Sequence, residues 1–347
     1  MQPQVTNKWR ALAALVTLQV VTGVVYKLSQ KSSTSYSYST FSALAIAEGI
    51  KFAISALLLT RSGRANIYRL PLAKNESAFP GVPSSYLKIL ALALMYCVNN
   101  QLTFSIFLAA DPASLNIFKA GSTAITAAIS CMLLGRHVSW QQWAAIILQL
   151  SGLIVTQYDA CKDRMTLSPA TYTLLLISVT ITALSGVLNE NQLKTLPLSL
   201  HQQSMVLYAG GVVLNTAGHF IKASLSDGVP GFFAGYDASS IAVVAVNACF
   251  GIVVTAVYKY ADSIMKCLAS AVTTVLLIGI SWLMFGLRLH ATILAGCVTV
   301  IVAVSLYSTA RQKAGAVASR KCRAVVAMIM FSFFALGVFA KNVMVDS

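Results

Sequence analysis

Apolar stretches long enough to cross a bilayer follow one another along almost the whole chain. They lie near residues 11–26, 40–60, 86–109, 112–135, 139–157, 170–189, 204–223, 239–257, 265–287 and 289–309. A spanning helix needs roughly 17–25 mostly apolar residues. In lipid a spanning chain must satisfy its own backbone groups, so it forms helices or closed barrels. Runs of this length predict an all-α membrane protein with ten transmembrane helices. Composition agrees. Of 347 residues, 57% are hydrophobic and 10% charged, against about 25% charged in an ordinary soluble domain. The first run has no small-residue cleavage site and reads as a spanning helix, not a removed signal. A further run at 324–340, between Arg323 and Lys341, is at the lower limit for a span. It either crosses the membrane or lies along its surface, so an extra C-terminal helix stays open.

The net charge is +15. The basic residues stand singly in short loops, so no nucleic-acid partner is expected and the excess sets orientation instead. With ten alternating spans, most Lys and Arg fall on one side. That side holds the N-terminus, the 61–88 loop and the 311–323 tail, and the rule places it in the cytosol. The sequon at Asn75 is then cytosolic and unglycosylated. The joints "ADPAS" (110–114), "GRHVSW" (135–140) and "FGLRLH" (285–290) are short, as between antiparallel neighbours in a bundle. Seven cysteines with no CxxC argue against a disulfide framework or zinc site. No HExxH, Gly-rich phosphate loop or acidic cluster occurs. No enzyme, catalytic residue, metal or cofactor is therefore expected.

The chain also reads as two halves, about 9–157 and 170–309, divided by the polar stretch "YDACKDRMTLSP". Five spans is an odd number, so the halves would insert with opposite orientation. Inverted five-helix repeats are a signature of secondary transporters, with substrate bound between them near the midplane. The expected organisation is one transporter domain over 1–310, followed by a basic tail and hydrophobic segment over 311–347.

Ionisable residues inside a span cost free energy and mark pathways or pairs. Glu48 and Lys51 are three residues apart and share a helix face. They read equally as an ion pair orienting the second span or as ligand contacts. Arg61 closes that span, where snorkelling is the plain explanation. Lys119 has no acid near it in sequence. It calls for an anionic partner such as a phosphate, or else snorkels to the lumenal side. Asn99 and Asn100 sit in the third span, where asparagines often bond a neighbouring helix. Tyr96 lies on about the same face and could stack on a nucleobase. Asn189 and Glu190 add polarity at the cytosolic end of the sixth span. In "YKYADSIMKCLASAVTTVLL" (258–277), Lys259, Asp262 and Lys266 share one face at helical spacing. Lys259 reads as a solvated helix end. Lys266 opens into the ninth span as Lys119 opens into the fourth.

These features resemble the nucleotide-sugar transporter family of the drug/metabolite transporter superfamily. The nearest branch carries the CMP-sialic acid and UDP-galactose transporters. The strongest motif is "KYADSIMK" (259–266), where the branch has Asn in place of Ser263. "AEGIK" (47–51), "LGRHVSWQQW" (134–143), "SGVLNENQLK" (185–194), "GFFAGYD" (231–237) and "FGL" (285–287) follow the family's order. The resemblance implies ten spans in two inverted halves. It implies exchange of a cytosolic nucleotide-sugar for a lumenal nucleoside monophosphate, across the Golgi membrane or that of the endoplasmic reticulum. It also implies phosphate-holding lysines in the fourth and ninth spans, here Lys119 and Lys266. Tyr96, Asn99 and Asn100 fall on the stretch that faces the nucleotide. Aligned without gaps, the fourth-span lysine falls on Ser122, three residues on. That is about 60° around the helix and about 4.5 Å along it. The start of the seventh span, "LHQQSMVLYAG", departs from the branch pattern, and the run at 324–340 lies beyond its ten spans.

The resulting expectation is an antiporter of a pyrimidine nucleotide-sugar: a UDP-sugar such as UDP-galactose or UDP-N-acetylglucosamine, or CMP-sialic acid. Lys119, Lys266 and Arg61 would meet the phosphate, and Asp262 would pair with Lys259 or Lys266. The alternatives are a sugar-phosphate or small-metabolite transporter on the same fold, and a non-transporting membrane scaffold. The sequence leaves the oligomeric state open, a homo-oligomer included.

Overall fold

A computed structural model of the chain describes residues 2–29, 36–61, 84–109, 112–156, 169–226, 229–285 and 290–310. The runs at 61–88 (beyond Arg61 and before Ser84) and 311–347 lie outside the described residues, as do Asn75 and the 324–340 segment. Ten helices make up the described chain: α1 (Gln2–Leu28), α2 (Thr40–Arg61), α3 (Ser84–Ala109), α4 (Pro112–Leu133), α5 (Trp140–Thr156), α6 (Pro169–Thr195), α7 (Leu200–Leu225), α8 (Ala238–Tyr260), α9 (Ser263–Phe285) and α10 (Ala291–Thr309). Six are long and apolar enough to cross a membrane: α2, α3, α6, α7, α8 and α10. The chain is a multi-pass membrane protein, and its regular structure among the described residues is all α-helical.

The helix starts are written in local chemistry. Ser139 and Gln142 form a capping box before α5, with Ser139 N–H donating to Gln142 Oε1 at 2.9 Å and Gln142 N–H to Ser139 Oγ at 3.3 Å. Ser199 and Gln202 repeat it before α7. Asp237 caps α8 and accepts from the Ser240 hydroxyl, the Ser240 N–H and the Ser239 hydroxyl, which hold its carboxyl down at about 2. Two glycines end turns at positive φ: Gly135 (58°) after α4 and Gly235 (77°) before α8. At Gly235 a Cβ would also run into the Ser37 carbonyl, so "GFFAGYD" needs glycine there on two counts.

Several helices outrun their apolar stretches, the sixth and seventh among them. The seventh begins at Leu200 because its capping box sits there. The sixth continues through Asn189–Thr195, where several of its polar groups bond within the protein. Lys194 pairs with Glu190 at 2.7 Å, and Gln192 Nε2 donates to the Lys88 carbonyl at 3.0 Å.

The chain divides into two compact units, and neither is a sequence half. The first comprises Met1–Leu108 and Leu188–Asp262, holding α1, α2, α3, the last turns of α6, α7 and α8. In it α2 packs along α7, α1 along α8, and α2 also meets α8. Ile89, Leu92 and Ala93 of α3 pack on Leu207 and Tyr208 of α7. The second comprises Ala109–Val187 and Ser263–Ser347, with α4, α5, most of α6, α9 and α10. There α5 packs along α10, α4 along both α5 and α9, and α9 on α10. The α5–α10 crossing is backbone to backbone. A Cβ on Gly296 would lie 2.6 Å from the Gly152 carbonyl, and one on Gly152 would lie 3.0 Å from the Gly296 carbonyl.

Candidate functional site

In the first unit the buried charges of α2 are built in from three sides. Glu48 and Lys51 are 6% and 7% exposed and are hydrogen-bonded to each other. Burial of an ion pair requires close fit and further partners, and the neighbouring helices supply both. A Cβ on Gly211 of α7 would stand 2.9 Å from Glu48 Cγ, and one on Gly251 of α8 would stand 2.6 Å from Lys51 Cδ. The two glycines form a slot that only the bare backbone leaves open. The Tyr208 ring covers the cation, with Lys51 Nζ 4.9 Å from its centroid. The Tyr208 hydroxyl in turn is 3.0 Å from Thr255 Oγ1 on α8.

A polar seam runs beside this pair. Thr40 Oγ1 donates to Gln101 Oε1 at 2.9 Å, Gln101 Nε2 donates to Asn215 Oδ1 at 3.3 Å, and Asn215 Nδ2 donates to the Gly211 carbonyl at 2.8 Å. Asn99 and Asn100 are half-buried on the same helix as Gln101, and the Asn99 carbonyl accepts from Thr103 Oγ1 at 2.8 Å. Tyr96 is half-buried, and its hydroxyl accepts from Asn189 Nδ2 of α6 at 2.9 Å. Beside this contact lies a small recess lined by Ile89, Leu92, Asn189, Gln192, Ser204 and Thr255, among others. Gln192 Oε1 is buried with no partner among the described residues.

At the end of α8, Lys259 is exposed, its ammonium 5.9 Å from the Tyr260 ring centroid. Ala261 and Asp262 form the joint to α9, and Asp262 is half-buried. Glu190 is 1% exposed and bonded to Lys194, whose Nζ also donates to the Ala261 carbonyl at 3.1 Å.

In the second unit α4 presents buried hydroxyls to α9. Ser122 Oγ donates to Cys267 Sγ at 3.6 Å, and Thr126 Oγ1 lies 3.6 Å from the same sulfur. Lys266 is the residue before Cys267, and half-buried. Lys119 is one turn before Ser122 on α4. The observed α4–α9 contact is thus at Ser122, Thr126 and Cys267, with Lys266 next to it in the chain and Lys119 three residues before Ser122. The side chains of Lys119 and Arg61 lie outside the described residues.

The expected residues therefore fall into two groups, one in each unit. Sequence reasoning found Glu48 and Lys51 but missed Tyr208, Thr255, Gly211 and Gly251, which shape their slot. A glycine inside a helical run, where it costs about 1 kcal/mol against Ala, was the available signal for the last two. It also missed Lys194, although "ENQLK" places it four residues after Glu190.

The profile of the nucleotide-sugar transporter family matches residues 3–308. The chain belongs to that family. Among related transporters, CMP-sialic acid transporter 2 of Oryza sativa subsp. indica is 26% identical over 315 residues, covering 88% of this chain and 86% of its own length. CMP-sialic acid transporter 4 of Arabidopsis thaliana is 28% identical over 287 residues, covering 81% and 79%. The "Probable UDP-sugar transporter protein SLC35A4" of Danio rerio is 27% identical over 314 residues, covering 88% and 96%. One crystal structure shares the fold of this transporter family member. It has a TM-score of 0.64 at 13% identity, covering 88% of this chain and 96% of the other.

Proposed function

We propose that this family member is a nucleotide-sugar antiporter. It would carry a cytosolic pyrimidine nucleotide-sugar, a UDP-sugar or CMP-sialic acid, into the Golgi lumen in exchange for the nucleoside monophosphate. The observation that carries this reading is the α4–α9 crossing. Ser122 meets Cys267 there, so the backbone positions of Lys119 and Lys266 lie close to that contact, on helices otherwise largely apolar. Two lysines at one crossing suit a doubly charged phosphate group. Arg61 is a third candidate cation. Tyr96, Asn99 and Asn100 would meet the base, and Glu48 with Lys51 would brace α2. Asp262 would act as the counter-charge of the lysines when no ligand is bound.

Inverted repeats would supply alternating access, and the helix pairing supports them. Shifting every helix by five places maps the α2–α7, α4–α9 and α5–α10 pairs onto themselves. It maps α1–α8 onto α6–α3 and α2–α8 onto α7–α3. All of these pairs occur. Exchange, as opposed to uniport, follows if a site whose lysines have no phosphate to meet closes poorly.

The test is exchange in liposomes. Uptake of labelled UDP-galactose, UDP-N-acetylglucosamine or CMP-sialic acid should rise when UMP or CMP is loaded inside. Lys266→Ala should cut exchange by about tenfold or more, the equivalent of one charge-assisted hydrogen bond. A Lys266→Ala protein that exchanges as fast as the unmodified one overturns the phosphate site. Uptake inhibited by sugar phosphates but not by UMP or CMP would favour the sugar-phosphate reading instead.

A further inference from the structure

We propose that Lys194 is a positioning residue whose ammonium latches the α8–α9 joint and so sets the rate of exchange. The inference rests on the transporter reading above for its functional half. Its structural half is a three-membered arrangement within the first unit. Glu190 and Lys194 lie one turn apart near the end of α6, with Lys194 Nζ 2.7 Å from Glu190 Oε1. The same Nζ donates to the Ala261 carbonyl at 3.1 Å.

Ala261 is where α8 stops. Its N–H still closes on the Val257 carbonyl, but φ −121° and ψ −134° turn the chain out of the helix. A carbonyl at a helix C-terminus has no partner within the helix, and that end of the dipole favours a cation. Lys194 supplies one.

The burial of the pair is lopsided. The Glu190 side chain is 2% exposed and that of Lys194 40%. A buried carboxylate needs its counter-charge, whereas a cation partly in water is less dependent on the carboxylate. Glu190 therefore fixes the ammonium, and the ammonium holds the carbonyl.

The location gives the latch its consequence. The chain leaves the first unit at Asp262 and enters the second at Ser263, directly after the latched carbonyl. Lys266 follows in the first turn of α9. Hinges of domain motion are a few element-terminal residues that absorb the change in φ and ψ. Lys194 holds one shoulder of such a joint. Losing the latch changes how fast the joint moves and leaves the substrate contacts in place.

The experiment uses purified full-length protein with three variants: Lys194→Arg, Lys194→Met and the charge swap Glu190→Lys/Lys194→Glu. Exchange is measured in liposomes with whichever of UDP-galactose, UDP-N-acetylglucosamine and CMP-sialic acid the unmodified protein carries. Half-saturation comes from thermal shift, and amide hydrogen exchange is followed over residues 260–266. Lys194→Arg keeps charge and donor and should exchange within about twofold of the unmodified rate. Lys194→Met should lose about tenfold in maximal rate, one charge-assisted hydrogen bond, with half-saturation unchanged and faster amide exchange at 260–266. The swap restores the ion pair, but a glutamate at 194 has no proton to give the Ala261 carbonyl. It should regain the thermal stability lost in Lys194→Met without regaining the rate. A swap that recovers the full rate overturns the latch, leaving an ion pair that serves stability alone. So does a Lys194→Met protein with unmodified rate and amide exchange. If the unmodified protein exchanges none of the three substrates while the amide contrast holds, the transporter reading fails and the latch stands.

Discussion

Lys51 is a cation in an apolar helix that the protein has made room for atom by atom. Glu48 neutralises it, Tyr208 covers it, and Gly251 gives up a side chain so that its stem can pass. Removing one partner of a buried pair strands the other charge, which costs about 3–5 kcal/mol. Lys51→Met should therefore lower the melting temperature in detergent strongly, without ligand present. The double variant Glu48→Gln/Lys51→Met should recover most of the loss, since no charge is left stranded. A Lys51→Met protein that melts with the unmodified one would mean that the slot carries no stability. At this scale the sequence shows only what is local. Glu48 and Lys51 are legible because they are one helical turn apart. Tyr208, Gly211 and Gly251 belong to α7 and α8, and no spacing rule links them to α2. The Lys194–Ala261 contact is hidden for the same reason, and also because a lysine at a helix end has the plain explanation of facing water.

Helix existence was legible throughout the described chain, since apolar length alone predicts each of the ten helices near its place. Apolar length placed the starts of α5 and α8 well, where a capping box adjoins the apolar stretch, but not that of α7, whose box at Ser199–Gln202 lies upstream of it. Boundaries were not legible where a polar end bonds to another helix, as for α6. What apolar length could not reveal is which helices touch. The α5–α10 crossing depends on two glycines, and it makes a sharp prediction for these elements. Gly296→Ala would place a Cβ 2.6 Å from the Gly152 carbonyl and 2.7 Å from the Thr156 nitrogen. Both are backbone atoms, so the helices must separate. Without a hydrophobic drive between helices in lipid, close packing is much of what holds them. Gly296→Ala and Gly152→Ala should each lower the melting temperature, the first more. Gly279→Ala on α9, where nothing lies within 4 Å of the added methyl, should be neutral or stabilising by up to about 1 kcal/mol through helix propensity. If the three variants melt alike, the crossing is not held by backbone contact.

For the whole molecule the decisive quantity is parity, the odd or even number of crossings between two points. Six helices satisfy length and apolarity, whereas the apolar pattern and the family resemblance call for ten spans. The two counts differ for four helices: the apolar stretches found in α1, α4 and α9 among the described residues are shorter, and α5 has 17 residues in all. At about 1.5 Å per residue it is about 25 Å long, just short of a hydrocarbon core of about 30 Å, though 17 residues lies within the range of natural spans. His137 precedes α5 and Phe233 follows α7. If α5, α6 and α7 all cross, these residues face opposite sides. If only α6 and α7 cross, they face the same side. Pro197, between α6 and α7, is separated from Phe233 by α7 alone, so this pair serves as the control. The experiment introduces His137→Cys, Pro197→Cys or Phe233→Cys and adds a membrane-impermeant maleimide to sealed vesicles of the membrane that holds the protein, cytosolic face outward, with and without permeabilisation. Phe233 is 77% exposed, and Pro197 is exposed as well. With ten spans and a cytosolic N-terminus, the thiols introduced at positions 137 and 197 label from outside, while the one at position 233 labels only after permeabilisation. Labelling of positions 137 and 233 from one side, with 197 from the other, would remove α5 from the membrane. The two halves would then hold different numbers of spans, and the inverted repeat that the exchange mechanism relies on would be lost with it.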